Sequence, residues 1–271
     1  MELDYVIADV FTDTALTGNQ LAVFVDGDAV PPELMQPLAR EIGFSETTYV
    51  GAGDRIRIFT PGTELPFAGH PVLGTAFVLA QHRGVEHVDL ITGLGPVPVH
   101  FDGRGRGTMA QPIPTVAPWG GDVAALCAAL GVPGSDLPVD EYVNGPHNVY
   151  VSLGDPAEVA ALRPDLGRLA TLGPWNVSCF AGSGTDWKSR MFAPGIGVAE
   201  DPATGSAAGP LAVHLARHGR IAWGKQITIT QGGEMLRPST LYATAHGSDT
   251  AVSKVEVAGD TVVVGRGTFE L

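Results

Sequence analysis

The chain has 271 residues, a formal charge of −13, 44% hydrophobic residues and 17% charged ones. It is too apolar for disorder and long enough for one large domain or two modest ones. So acidic a chain repels nucleic acid and anionic lipid, which makes both poor partners; a small substrate in a locally positive site stays open. The 36 glycines and 21 prolines point to many tight turns and short strands. Cys127 and Cys179 have no partner at metal-ligand spacing and read as buried small hydrophobes. The first residues carry neither a basic region nor an apolar run, so no signal peptide is expected. No apolar stretch of ~18 residues occurs, so no membrane span is expected and the expected location is the cytoplasm.

In chain order, residues 5–11 alternate weakly and predict a strand. Thr17-Gly18-Asn19 predicts a turn, and residues 21–25 a second strand closed by Asp26-Gly27. Leu34, Met35, Leu38, Ala39 and Ile42 fall at helical spacing, and Pro31 at the start of their run suits a helix N-terminus. Residues 47–50 and 56–59 predict strands. A Pro/Gly-rich loop follows, then a helix over about 71–81 that is apolar almost all round, which predicts burial at the centre of a domain. The second half repeats this order: helix over 122–130, strand over 149–153, short helix over 156–162, strands over 175–180 and 189–192, a Gly/Pro loop, and an apolar helix over about 207–218. Short strands are predicted over 227–230, 241–245, 253–257 and 261–264.

The two loop–helix regions correspond, with a three-residue difference in loop length. Arg57-Ile58-Phe59-Thr60-Pro61-Gly62 corresponds to Arg190-Met191-Phe192-Ala193-Pro194-Gly195, and Gly69-His70 to Gly205-Ser206. Two repeats spaced at half the chain predict two like-folded domains and not a solenoid. In each half a Gly loop leads straight into the buried helix. The first N–H groups of a helix lack intrahelical partners and lie at its positive end, and glycine lets a ligand approach the backbone. Each loop is therefore a candidate anion site. Glu46, between a helix and a β-rich stretch, reads either as a solvated or edge-strand residue or as a carboxylate lining an apolar cleft, where it could take and return a proton. His70 alone is compatible with a structural histidine, and Asp201 before Pro202 with a loop or cap residue.

Asp9-Val10-Phe11 with Gly18-Asn19, Phe44-Ser45-Glu46-Thr47, and Glu64-Leu65-Pro66-Phe67-Ala68-Gly69-His70-Pro71 with Gly74-Thr75 resemble the phenazine-biosynthesis PhzF-like family. So do Arg190-Met191-Phe192-Ala193-Pro194, Glu200-Asp201-Pro202-Ala203-Thr204-Gly205-Ser206, Gln231-Gly232 and Arg237-Pro238-Ser239. The resemblance runs in order along nearly the whole chain. It implies the diaminopimelate-epimerase-like α+β fold: two pseudo-symmetric domains, each a curved mixed sheet around a central buried helix. The expected halves are residues 1–115, completed by a strand near 262–271, and residues 118–261, with the active site in a cleft between them. It further implies a homodimer and an isomerase that moves a proton within a small carboxylate-bearing substrate, as in isomerisation of trans-2,3-dihydro-3-hydroxyanthranilate, with no cofactor and no metal. Glu46, His70, Asp201 and Ser206 are then the catalytic positions, and Asn19, Gly69, His70, Gly205 and Ser206 bind substrate. Epimerases of this fold use two loop cysteines, where this chain has Ala68 and Ala203. A racemase or epimerase of an amino or hydroxy acid, or a metabolite-binding protein without activity, are the alternatives.

Overall fold

The computed structural model describes residues 1–103 and 105–271. The chain divides into two compact units, Met1–Ala110 with Ala258–Leu271, and Gln111–Val257. The first unit starts with β1 (Glu2–Val10), β2 (Asn19–Phe24), α1 (Pro32–Ile42), β3 (Glu46–Gly51), β4 (Arg55–Phe59) and the short β5 (Glu64–Leu65). Then come α2 (Gly69–Arg83), β6 (His87–Thr92), β7 (Gly95–Phe101) and β8 (Arg106–Gln111). The second unit holds β9 (Thr115–Pro118), α3 (Val123–Leu130), β10 (Asp140–Val143), β11 (His147–Ser152), α4 (Pro156–Ala161), α5 (Leu166–Leu172), β12 (Asn176–Ser183) and β13 (Asp186–Ala193). It continues with β14 (Val198–Asp201), α6 (Gly205–Arg217), β15 (Ile227–Gln231) and β16 (Ser239–Ser248). β17 (Ala251–Glu270) starts there and ends in the first unit.

The strand pairings repeat step for step. In the first unit β1–β2 is antiparallel, β2–β3 parallel, β3–β4 and β4–β5 antiparallel, β4–β6 parallel and β6–β7 antiparallel. In the second unit β10–β11, β11–β12, β12–β13, β13–β14, β13–β15 and β15–β16 run through the same series. The parallel steps are crossovers that carry helices, α1 and α2 in one unit and α4, α5 and α6 in the other, as parallel neighbours require. In the first unit β8 also pairs with β7 and β17, and β17 with β1, so the strands close into a ring. α2 is buried from Gly69 to Ala80, and α6 from Gly205 to Ala216. A helix with no polar face has nowhere else to go. The architecture is the mixed α+β fold of two similar halves that the repeat predicts. Among the described residues no helix is long and apolar enough to cross a membrane.

The structure departs from the sequence reading in β17. Residues 253–257 and 261–264 belong to one 20-residue strand. Gly259 marks a close approach: a Cβ there would lie 2.2 Å from the Phe11 ring. Glycine in a strand signals such contact as readily as it signals a turn. α5, which the reading missed, is short and is started by Asp165, whose side chain accepts from the Arg168 N–H.

The repeated Arg-x-Phe motif forms the same clip in each unit. Arg57 on β4 makes two hydrogen bonds of 2.7 Å to Glu64 on β5. Arg190 on β13 makes bonds of 2.7 and 2.8 Å to Glu200 on β14. Each guanidinium also lies over the phenylalanine two residues on, 4.9 Å from the Phe59 centroid and 5.0 Å from that of Phe192. The clips fasten the hairpins that lead to α2 and α6. They differ in burial: the Arg57 side chain is 42% exposed and that of Arg190 6%. Arg190 also donates to the Val159, Ala160 and Leu162 carbonyls at the end of α4. Arg190→Ala strands a largely buried carboxylate and these carbonyls and is expected to cost about 3–5 kcal/mol. Arg57→Ala is expected to cost about 1 kcal/mol or less. Urea unfolding of the two variants measures the difference; equal losses would contradict this reading of the clips.

Candidate active site

The residues singled out from sequence fall into two groups, one in each unit. Glu46 opens β3 and pairs with Leu21 on β2, close to where Asn19 opens that strand. Gly69 and His70 are the first two residues of α2. Thr48 Oγ1 lies 2.8 Å from Thr75 Oγ1, joining β3 to α2 through two buried hydroxyls. These elements bring Asn19, Glu46 and His70 together. Asn19 Nδ2 lies 3.2 Å from His70 Nδ1, and His70 Nε2 lies 3.4 Å from Glu46 Oε2. The His70 side chain is 4% exposed and that of Glu46 14%. His70 Nε2 makes no hydrogen bond, so the contact with Glu46 is a close approach without bonding geometry. Burial pushes the His70 pKa down to about 3, against a weaker upward pull from a hydrogen bond to the Gln20 backbone. The pair at neutral pH is therefore a carboxyl group beside an uncharged imidazole, not an ion pair.

The second group surrounds the start of α6. Asp201 ends β14 and is buried, and Thr204 Oγ1 donates to its Oδ2 at 2.6 Å. Gln231, which ends β15, donates from Nε2 to the Asp201 carbonyl and to Thr204 Oγ1. Gly232 follows in the left-handed region with φ of 76°, packed so that a Cβ would fall 2.5 Å from the Pro202 carbonyl oxygen. Together these contacts fix the Asp-Pro-Ala-Thr loop that delivers Gly205 and Ser206 as the first residues of α6.

The sequence reading missed the residues that hold this helix start. Pro210 lies inside α6 and has no N–H, so the Ser206 carbonyl four residues earlier loses its intrahelical donor. Asn144 Nδ2 donates to that carbonyl at 2.9 Å, with Asn148 Nδ2 3.5 Å away. Gln111 donates to the Gly205 carbonyl and Tyr150 to that of Ala207. Asn176 links to Asn148 behind them. Pro210 in a helical stretch was the available signal, because a buried carbonyl without its donor needs a partner from elsewhere.

Three helices, α3, α4 and α5, begin with aspartates whose carboxylates accept from the first-turn N–H groups, at Asp122, Asp155 and Asp165. Neither α2 nor α6 is capped by its own N-cap side chain, Ala68 or Thr204; Thr204 turns its hydroxyl to Asp201 instead. Both central helices thus present first-turn donors that a bound carboxylate could accept from. Cys127 and Cys179 lie in α3 and β12, and burial pushes both thiols up in pKa.

A model of the phenazine biosynthesis-like protein family matches residues 8–267. The chain belongs to that family. A trans-2,3-dihydro-3-hydroxyanthranilate isomerase of Pseudomonas fluorescens is 46% identical over 99% of this chain and 99% of its own length. The enzyme of that name from Pseudomonas aeruginosa is 48% identical, over 97% of this chain and 98% of its own. The crystal structure of a PhzF-family phenazine biosynthesis protein from Bacillus anthracis superposes with a TM-score of 0.88 over 100% of both chains at 21% identity, which shows the shared fold. As a family member with relatives this similar, the chain is an isomerase acting on a small molecule.

Neutral His70 makes stability depend on pH. Its folded pKa, about 3, lies below the 6.5 of an unperturbed histidine, so the unfolded chain binds the proton and the folded chain does not. The contribution is full above about pH 6.5 and is lost as pH falls toward 3. Between pH 7.5 and 5.0 this should remove about 2 kcal/mol. His214, pushed down to about 3 chiefly by burial, should remove a similar amount. Urea unfolding at the two pH values tests this, and His70→Asn should show the smaller loss. A wild-type stability independent of pH over this range would contradict a neutral buried His70.

Proposed function

We propose that the chain isomerises trans-2,3-dihydro-3-hydroxyanthranilate by proton transfer through Glu46, without metal or cofactor. The observation that carries the reading is the buried approach of Glu46 Oε2 to the uncharged His70 ring at the start of α2, which Ala68 leaves uncapped, at 3.4 Å. An acidic group of the substrate accepts from the first N–H groups of α2, at Gly69 and His70; the sequence resemblance gives Gly205 and Ser206, at the start of α6, a substrate-binding role as well. Ionised Glu46 takes a proton from a ring carbon made acidic by the adjoining unsaturation: the C–H bond breaks and the carboxyl O–H forms. The electron pair moves along the ring, and Glu46 returns the proton to another carbon, so the composition is unchanged. His70, held by Asn19, orients polar groups of the substrate beside Glu46. Asp201 relays a proton and Ser206 donates a hydrogen bond. Two-thiol racemisation has no groups to run on, since both cysteines are buried elsewhere and alanines stand at 68 and 203. The sequence resemblance also supports a cytoplasmic homodimer.

Glu46→Gln keeps the size and removes the base. Turnover of the dihydro-hydroxyanthranilate is expected to fall ~10²–10⁴-fold, while 3-hydroxyanthranilate, a product-like acid, still binds by calorimetry. Wild-type turnover in Glu46→Gln would sink the assignment.

A further inference from the structure

The far end of α6 carries a second cluster of ionisable groups. His214 and His218 stand four residues apart, on one face of the helix end. His214 lies about 12 Å along the helix from Ser206, at ~1.5 Å per residue. Asp140, the first residue of β10, faces both rings. Its Oδ2 lies 2.8 Å from His218 Nε2 and 3.7 Å from His214 Nδ1. One ligand atom from each of the three residues lies within 4.8 Å of the others. Bonds of about 2.0–2.1 Å to nitrogen and oxygen place tetrahedral zinc ligands roughly 3.3 Å apart. The measured separations bracket that value.

The setting favours a ligand role over a simple ion pair. His214 is fully buried, its ring stacked on Tyr150 and edge-on to Tyr142 and Phe180. Nε2 finds no hydrogen-bond partner against this aromatic wall. The polar contacts of the ring are all on the Nδ1 side, with the Tyr142 hydroxyl at 3.2 Å and Asp140 beyond it. Burial keeps the ring uncharged, so a metal can take the Nδ1 lone pair in place of the Tyr142 hydroxyl, with the Asp140 carboxylate 3.7 Å away. The His218 side chain is 22% exposed, which leaves an approach from solvent. Arg217 adds a positive charge nearby, so a hard cation bound only through charge is disfavoured, whereas a metal that seeks imidazole nitrogen is not.

We propose that Asp140, His214 and His218 form a zinc-binding site, with solvent as the fourth ligand, that ties β10 to the end of α6. The ion plays no part in proton transfer at Glu46.

Untagged protein is stripped with chelator, dialysed, and titrated with zinc against a chromogenic competitor, with bound metal counted by mass spectrometry. One zinc per chain and a raised thermal midpoint are expected. Asp140→Asn and His218→Ala should each bind at least ~10–100-fold more weakly, the loss seen for even outer-shell partners. Both should keep wild-type isomerase turnover, which also reports that they fold. His100→Ala, which removes an exposed histidine pair elsewhere, should bind as wild type. Cobalt(II) in place of zinc should give the intense visible bands of a tetrahedral ion. The proposal is overturned if no zinc is retained, if Asp140→Asn and His218→Ala bind as wild type, or if cobalt gives only weak octahedral bands.

Discussion

A carboxylate beside a charged imidazole is a poor base, because its lone pairs are already committed to the neighbouring proton. Burial at the start of α2 keeps the imidazole beside Glu46 from carrying that charge at neutral pH. His70 is 4% exposed and is held uncharged, with Asn19 on one ring nitrogen and Glu46 facing the other. An ionised group in such a place is tolerated when its charge is in use or balanced by a ligand. The first-turn donors of α2, uncapped by Ala68, offer an acidic substrate a place beside this pair.

Central burial of α2 and α6 follows from their composition, but it creates polar debts at their starts. In α6 the Asp201–Thr204–Gln231 chain and the Asn144, Asn148, Gln111 and Tyr150 donors satisfy the loop and the first-turn carbonyls. Those bonds fix the backbone of the helix start. In each unit an Arg–Glu clip on the preceding hairpin fixes the chain entering the helix. Each unit therefore combines an apolar helix, an uncapped start and a braced entry, which is a rigid way to present backbone donors.

Much of this was legible in the sequence. The matched Arg-x-Phe-x-Pro-Gly runs correspond to equivalent strands, and Gly69 and Gly205 open equivalent helices. Apolar residues on every face announced the burial of both. The strands over 87–111 were not read, because their alternation is interrupted by Gly and Pro. β17 was read as two strands because Gly259 resembles a turn, and only tertiary structure shows Phe11 packed against it. The asparagine donors lie far in sequence from the Ser206 carbonyl they serve, and Asp140 lies far from His214 and His218. Single polar residues in strands and loops have no period, so folding alone reveals what they face.

The central claim is that His70 stays uncharged beside Glu46, and nuclear magnetic resonance of protein labelled with ¹⁵N-histidine tests it most directly. His70→Asn assigns the ring signals. The account predicts that both His70 nitrogens keep the shifts of a neutral imidazole from pH 8 to pH 5. A ring that titrates near 6.5 into an imidazolium paired with Glu46 would contradict it.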